Sequence, residues 1–276
     1  MNIDRRRLLL TGTFGLAALA IPGFALGQPT SGFTHSVASG EPGPDTMLLW
    51  TRYVPADGGA AKLRAEVSRS EDFATIVSGG EMVTGRWRDH TAKIMVAGLA
   101  PGTRYFYRFV GPDGSMSPVG RTRTLPDDDV RRFGIAVFSC SNLPFGYFNA
   151  YAHAAVRDDI DLWVHLGDYL YEYPKGGYGP DEGAVDGRWP EPVGEMIHLA
   201  DYRLRYASYR SDPDLQALHA AKPMLVQMDD HESANNGREM GAQNHQSDEE
   251  GLWSIRKAAA TWATACSARC SSTSTS

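Results

Sequence analysis

The sequence predicts a chain of two parts: an all-β sandwich, then an α/β domain on a mostly parallel sheet. Three observations carry this. Residues from about 33 to 125 fall into short runs, several alternating apolar and polar, with Gly, Pro and Asp between them. After residue 131, apolar strand-like runs alternate with segments of helical periodicity. Between the two, Leu125-Pro126-Asp127-Asp128-Asp129 is acidic, lacks periodicity and reads as a linker.

The 276 residues are 42% hydrophobic and 22% charged, enough for one or two packed cores. A formal net charge of −6 gives no basic footprint for nucleic acid. Phosphate esters remain within reach if metals or local arginines supply positive charge. The three cysteines, Cys140, Cys266 and Cys270, outline no disulfide framework.

The chain opens with Asp4-Arg5-Arg6-Arg7-Leu8-Leu9, a twin-arginine pattern, followed by a short apolar stretch broken by Gly12, Gly15, Pro22 and Gly23. Ala25-Leu26-Gly27 is a small-x-small cleavage site, so residues 1–27 read as an export signal. The alternative is an uncleaved anchor, disfavoured because the stretch is short and glycine-broken. Cleavage takes the charge from −6 to −8. The expected route is twin-arginine export, to a periplasmic or secreted location, with the export machinery as a partner and no membrane span in the mature chain.

In the first part, Met47-Leu48-Leu49-Trp50 is an apolar run behind a Gly/Pro/Asp turn. In KLRAEVSRS, Leu63, Ala65 and Val67 take one face and Lys62, Arg64 and Glu66 the other. Leu99-Ala100-Pro101-Gly102-Thr103-Arg104-Tyr105 resembles the tyrosine corner of fibronectin type III sandwiches, where the phenol bonds back to the upstream backbone. A structural domain is the reading preferred over a binding module.

In the second part, Arg132–Phe138 predicts a buried parallel strand. Phe148, Tyr151, Ala152, Ala155 and Val156 predict a helix over about 147–158, and Leu162–Leu166 a second strand, which completes a βαβ unit. Residues 171–196, rich in Gly, Pro and charge, read as a long functional or mobile loop. Helices follow from about His198 to Tyr209 and from Ser211-Asp212-Pro213 through His219, then a strand over Lys222–Met228. Ser247-Asp248-Glu249-Glu250 is a capping box opening a last helix. From Thr261 the small-residue, Ser/Thr-rich stretch reads as an irregular tail over 261–276.

Each strand of the second part ends in chemistry. The first ends in Ser139-Cys140-Ser141-Asn142, the second in Gly167-Asp168-Tyr169-Leu170-Tyr171-Glu172, and the third in Asp229-Asp230-His231-Glu232. Ligands of open α/β sheets bind at the carboxyl ends of the strands, so these residues converge on one rim. Two metals a few Å apart neutralise phosphoryl oxygens and lower the pKa of water, and a carboxylate such as Asp168 can bridge them. The soft Cys140 and phenolic Tyr171 suit a strongly Lewis-acidic metal such as Fe(III) better than Mg. Taken singly, Cys140 reads as a small buried hydrophobe, Tyr171 as a loop aromatic and Asp230-His231 as a helix cap. Only together do they read as ligands. His165 reads as a packed core residue and His153 as helix surface.

These motifs, with Asn-Asn after DDHE and the segment ADYRLRYASYRSDPDLQALHAAKPMLVQMDDHE, resemble PhoD-type alkaline phosphatases of the calcineurin-like metallophosphoesterases, over about residues 33–260. The resemblance implies hydrolysis of phosphate mono- or diesters at an Fe(III)–Ca(II) centre. It implies Asp168 as bridging ligand, Cys140 and Tyr171 as iron ligands, Asp230 as a metal ligand, and His231 as a phosphate-contacting or acid residue. Asp168 and His231 are thus the catalytic candidates. Asn142 stands where the wider superfamily has a metal-binding His, and that role is not transferred.

The sequence lacks the late Gly-Asp-x-His segment of that family, and the resemblance is expected to end near Ala260, as after a frameshift or premature stop. On that reading 131–260 is half of a metallophosphoesterase domain, with an incomplete sheet, an uncovered apolar face and an unpaired edge. Inactivity from that truncation, poor solubility and weak metal binding follow as expectations. The alternative function is a non-catalytic exported protein in which only the sandwich folds and binds a partner.

Overall fold

A computed structural model describes residues 30–128, 130–239, 241–245 and 253–267. The signal segment 1–27 and the capping box at 247–250 lie outside them. Seven strands come first: β1 (Gly32–Gly40), β2 (Met47–Val54), β3 (Ala61–Ser68), β4 (Ile76–Thr84), β5 (Thr91–Val96), β6 (Arg104–Val110) and β7 (Gly120–Arg123). There follow β8 (Ile135–Phe138), α1 (Asn149–Ala155), β9 (Leu162–His165), α2 (Leu199–Arg210), α3 (Pro213–Ala221), β10 (Met224–Val226) and α4 (Trp253–Ser267).

The strands form two sheets, of order β5-β2-β1-β10-β9-β8 and β4-β3-β6-β7. Alternation in β3 follows the pattern at Leu63, Ala65 and Val67, which are buried, and at Lys62 and Arg64, which are exposed, but Glu66 of the polar face is buried under its ion pairs with Arg64 and Arg108. Ala65, Val67, Tyr105, Tyr107 and Phe109 of the smaller sheet share an apolar core with Val37, Met47, Leu49 and Val96 of the larger. The Tyr105 hydroxyl accepts the Ala100 N–H at 2.8 Å, the bond expected of a tyrosine corner.

The sequence separates the two parts at the acidic linker, but hydrogen bonding does not. β1 is antiparallel to β2 and parallel to β10, with Gly40 opposite Met224, and Glu41 N–H donates to Met224 O at 3.1 Å. The close approach needs a glycine, because a Cβ on Gly40 would lie 3.0 Å from that carbonyl. The larger sheet is therefore mixed: β1, β10, β9 and β8 run parallel, and β2 and β5 extend it in antiparallel fashion.

One face of the parallel strands packs against the helices. Trp163, fully buried, shares a core with Tyr151 of α1, Tyr202, Tyr206 and Tyr209 of α2, Leu215 and Leu218 of α3, and Ala260 and Ala263 of α4. Asp212 caps α3 through the Asp214 and Leu215 amides, with Pro213 in the first turn as expected. On the other face Val137, Val164 and Leu225 stand side by side, and Ile135 and Val137 are more than half exposed.

Two expectations are corrected. Residues 132–138 were expected to form a buried strand, yet β8 is half-exposed because it is the last strand of its sheet among the described residues. The irregular tail expected from 261 is helical through Ser267. Small residues there let the helix approach α2 closely, and Tyr206 and Thr264 hydroxyls bond at 2.7 Å.

Candidate metal centre

The loops leaving the parallel strands stay paired beyond the regular ladder. Leu166 N–H donates to Phe138 O, Cys140 N–H to Gly167 O and Ser141 N–H to Asp168 O. Cys140 and Asp168 both adopt left-handed backbone, at φ 59° and 52°. Such conformations cost about 1–3 kcal/mol each at non-glycine residues and cluster at functional sites. Between them, Gly167 at φ 117° passes so close to the third loop that a Cβ would lie 2.4 Å from Asp229 Cβ. Glu232 latches the second and third loops together by accepting Tyr169 N–H and, at 2.7 Å, Asp229 N–H. Burial raises its carboxyl to about 7.

The five residues singled out in the sequence are brought together. Ligand atoms of Asp168, Asp230 and His231 lie within 4.8 Å of one another, with Asp168 and His231 buried. The Cys140 thiol and the Tyr171 hydroxyl both donate to Asp168 Oδ2, at 3.5 and 3.4 Å. Asp168 Oδ1 is buried and has no hydrogen-bond partner among the described residues. Burial raises the Asp168 carboxyl above its ordinary value, against the pull of His231. Burial also pushes the Tyr171 phenol up, and the Asp168 charge adds to it. A divalent or trivalent cation would satisfy the orphaned oxygen and replace both protons on its neighbour, so the donor set fits a metal.

Glu172 supports this cluster from behind. Its side chain is fully buried, and its Oε2 bonds His231 Nδ1 at 2.8 Å. Its Oε1 accepts Asn235 N–H and the Asn244 amide, at 2.5 and 2.8 Å. Burial opposes a charged His231, but Glu172, Asp168 and Asp230 outweigh it and raise the imidazole's pKa.

His165, as expected, is a core residue: fully buried and bonded to the Ser141 hydroxyl at 2.9 Å. His153 is exposed on α1. The Asn142 side-chain nitrogen is buried and has no hydrogen-bond partner among the described residues.

Sequence reasoning missed Arg205. Its guanidinium is buried and donates to the carbonyls of Tyr171, Tyr173, Glu191, Pro192 and Gly194, gathering both ends of the 171–196 loop. The signal was available, because Arg205 falls on the helix face marked by Tyr202, Tyr206 and Tyr209. A cation on an apolar face must find acceptors.

Comparison with known proteins accords with this geometry. The profile of the PhoD-like phosphatase family matches residues 135–265, beyond the expected end of the resemblance, and that of its N-terminal domain matches 20–126. Alkaline phosphatase D of Bacillus subtilis (strain 168) is 41% identical over 213 residues, which are 74% of this chain and 36% of that protein. The solved structure of PhoD superposes with a TM-score of 0.75 at 34% identity, covering 90% of this chain and 47% of that one. Purple acid phosphatase PPD1 from yellow lupin shares the fold alone, with a TM-score of 0.50 at 13% identity over 85% of this chain and 40% of its own. The chain thus spans roughly a third to a half of the proteins it matches. With a PhoD-like profile on each of its two parts and a similar solved structure over nine-tenths of its length, the chain belongs to the PhoD-like phosphatase family.

Proposed function

We propose that this chain carries a phosphate-ester hydrolysis site, acting on mono- or diesters with two metals, Fe(III) and Ca(II). The observation that carries the reading is Asp168, with one oxygen buried and unpartnered and the other receiving the Cys140 and Tyr171 protons. Asp168 would bridge the metals, Cys140 and Tyr171 would hold the iron, and Asp230 would hold a metal. When bound, such a pair supplies positive charge to the phosphoryl oxygens and makes water a nucleophile at neutral pH. His231, oriented through Nδ1 by Glu172, turns its other ring nitrogen to the phosphoryl group, as a hydrogen-bond donor or as the acid for the leaving oxygen.

The name of the 41% identical alkaline phosphatase D supports the same class of substrate. The Tyr105 corner and the two facing sheets support a sandwich of the fibronectin type III kind at 33–125. The twin-arginine pattern at 5–7 supports export of the folded chain. Among the described residues no helix is long and apolar enough to cross a membrane.

The test is turnover of p-nitrophenyl phosphate and bis-p-nitrophenyl phosphate by the chain loaded with iron and calcium. Asp168→Asn is expected to lower kcat/KM more than about 100-fold, beyond what an outer partner of a ligand costs. No turnover of either ester by the loaded wild type would sink the proposal.

A further inference from the structure

The opposite ends of the same strands carry the opposite charge. Asp161 directly precedes β9, and Lys222 and Pro223 directly precede β10. Together with Arg104 of β6 and Arg121 and Arg123 of β7 they line a cleft of about 140 Å³, at the seam between the two parts of the chain. Four cations thus face two carboxylates, Asp158 and Asp161.

One of the two carboxylates, Asp161, is already engaged. Asp161 Oδ1 accepts Arg123 and lies 3.7 Å from Arg104 Nη2, and its Oδ2 accepts Gly134 N–H at 3.0 Å. Two cations are left over. Arg121 is exposed, and its guanidinium has no hydrogen bond or ion pair among the described residues. Lys222 is only 7% exposed, and its ammonium makes one bond, to Arg157 O at 2.8 Å. An ammonium carries three donors, so two remain unused, and no carboxylate among the described residues takes them. Burial lowers its pKa, and Arg121 and Arg104 lower it further, against a weaker opposing pull from Asp158 and Asp161. A buried ammonium repelled by two arginines gains from an anion between them.

We infer that this cleft binds a tetrahedral oxyanion, either free inorganic phosphate or the phosphoryl group of a phosphate monoester, between Arg104, Arg121 and Lys222. The ligand bridges β6 and β7 to the loops that start β9 and β10, so it stabilises the seam in proportion to its occupancy. This site is separate from the acidic rim and does not depend on its metals.

The experiment is calorimetric titration of the full chain in EDTA, which keeps metal from the acidic rim, with sodium phosphate and, separately, phenyl phosphate. Sodium chloride at matched ionic strength is the blank. One phosphate per chain is expected, with a Kd of about 1 mM or tighter, and with at least about tenfold weakening in Arg121→Ala. Arg121 is exposed, so its variant is expected to keep its fold; Lys222→Met is a second variant, and both are checked for folding by circular dichroism. Equal binding of both ligands assigns the site to the phosphoryl group, and binding of phosphate alone assigns it to the free ion. No binding beyond the chloride blank, or binding undiminished in Arg121→Ala, overturns the inference.

Discussion

The two rims of the parallel strands share β9 and β10 and little else. At the carboxyl rim Asp230 and His231 gather at Asp168, one oxygen of which is unpartnered among the described residues, and the backbone takes left-handed turns at Cys140 and Asp168. At the amino rim Arg104, Arg121, Arg123 and Lys222 surround a cleft, and every residue lining it has ordinary backbone. Because the parallel strands are short and apolar, the charge of the carboxyl end comes from their loops, and that of the amino end from Lys222 together with Arg104, Arg121 and Arg123 on β6 and β7 of the smaller sheet. One small sheet can therefore present a cation site and an anion site at once.

The buried middle between the rims gives the largest expected effect. His35, His165 and His219 are held neutral. Burial and then Arg52 and Arg210 bring His35 to about 3, burial brings His165 to about 4, and burial with Arg210 drives His219 well below its ordinary value. Below about pH 6.5 the unfolded chain takes up protons that the folded chain refuses, so stability falls as pH falls toward 4. Each such histidine costs about 1.4 kcal/mol per pH unit in that window. Urea midpoints at pH 7 and pH 5 measure it, and equal midpoints would break the picture of a neutral middle.

Next in size is Arg205→Met, which leaves buried carbonyls of the 171–196 loop without a donor. A loss of about 3 kcal/mol is expected, with faster proteolysis within 171–196. Stability within about 0.5 kcal/mol of wild type would show that the loop holds itself.

The smallest effect sharpens the acidic rim. Glu172→Gln keeps the shape but removes the charge behind His231, and should weaken metal retention about 10- to 100-fold. It should also move the pH profile of turnover to lower pH, since Glu172 raises His231. An unmoved profile would leave Glu172 a purely structural role.

Much of this was legible in the sequence. Alternation at Leu63, Ala65 and Val67 fixes the inner face of β3, and three strand-end motifs name the residues that meet at Asp168. What was hidden rests on distant contacts. The β1–β10 pairing joins Gly40 to Met224 across the linker, and no local pattern announces it. The helix past Ala260 was missed because its small residues are packing surface against Tyr206 rather than low-complexity tail. Glu172 and Arg205 were passed over because their partners are a histidine and carbonyls far along the chain.

The claim that Asp168 organises a metal site is tested most directly by adding ferric iron to the metal-free chain, desalting, and recording metal content with the visible spectrum. The account predicts retained iron with a phenolate charge-transfer band that disappears in Tyr171→Phe, shifts in Cys140→Ser, and is absent with the iron in Asp168→Asn. Iron lost on desalting, or retained equally by Asp168→Asn, would contradict it.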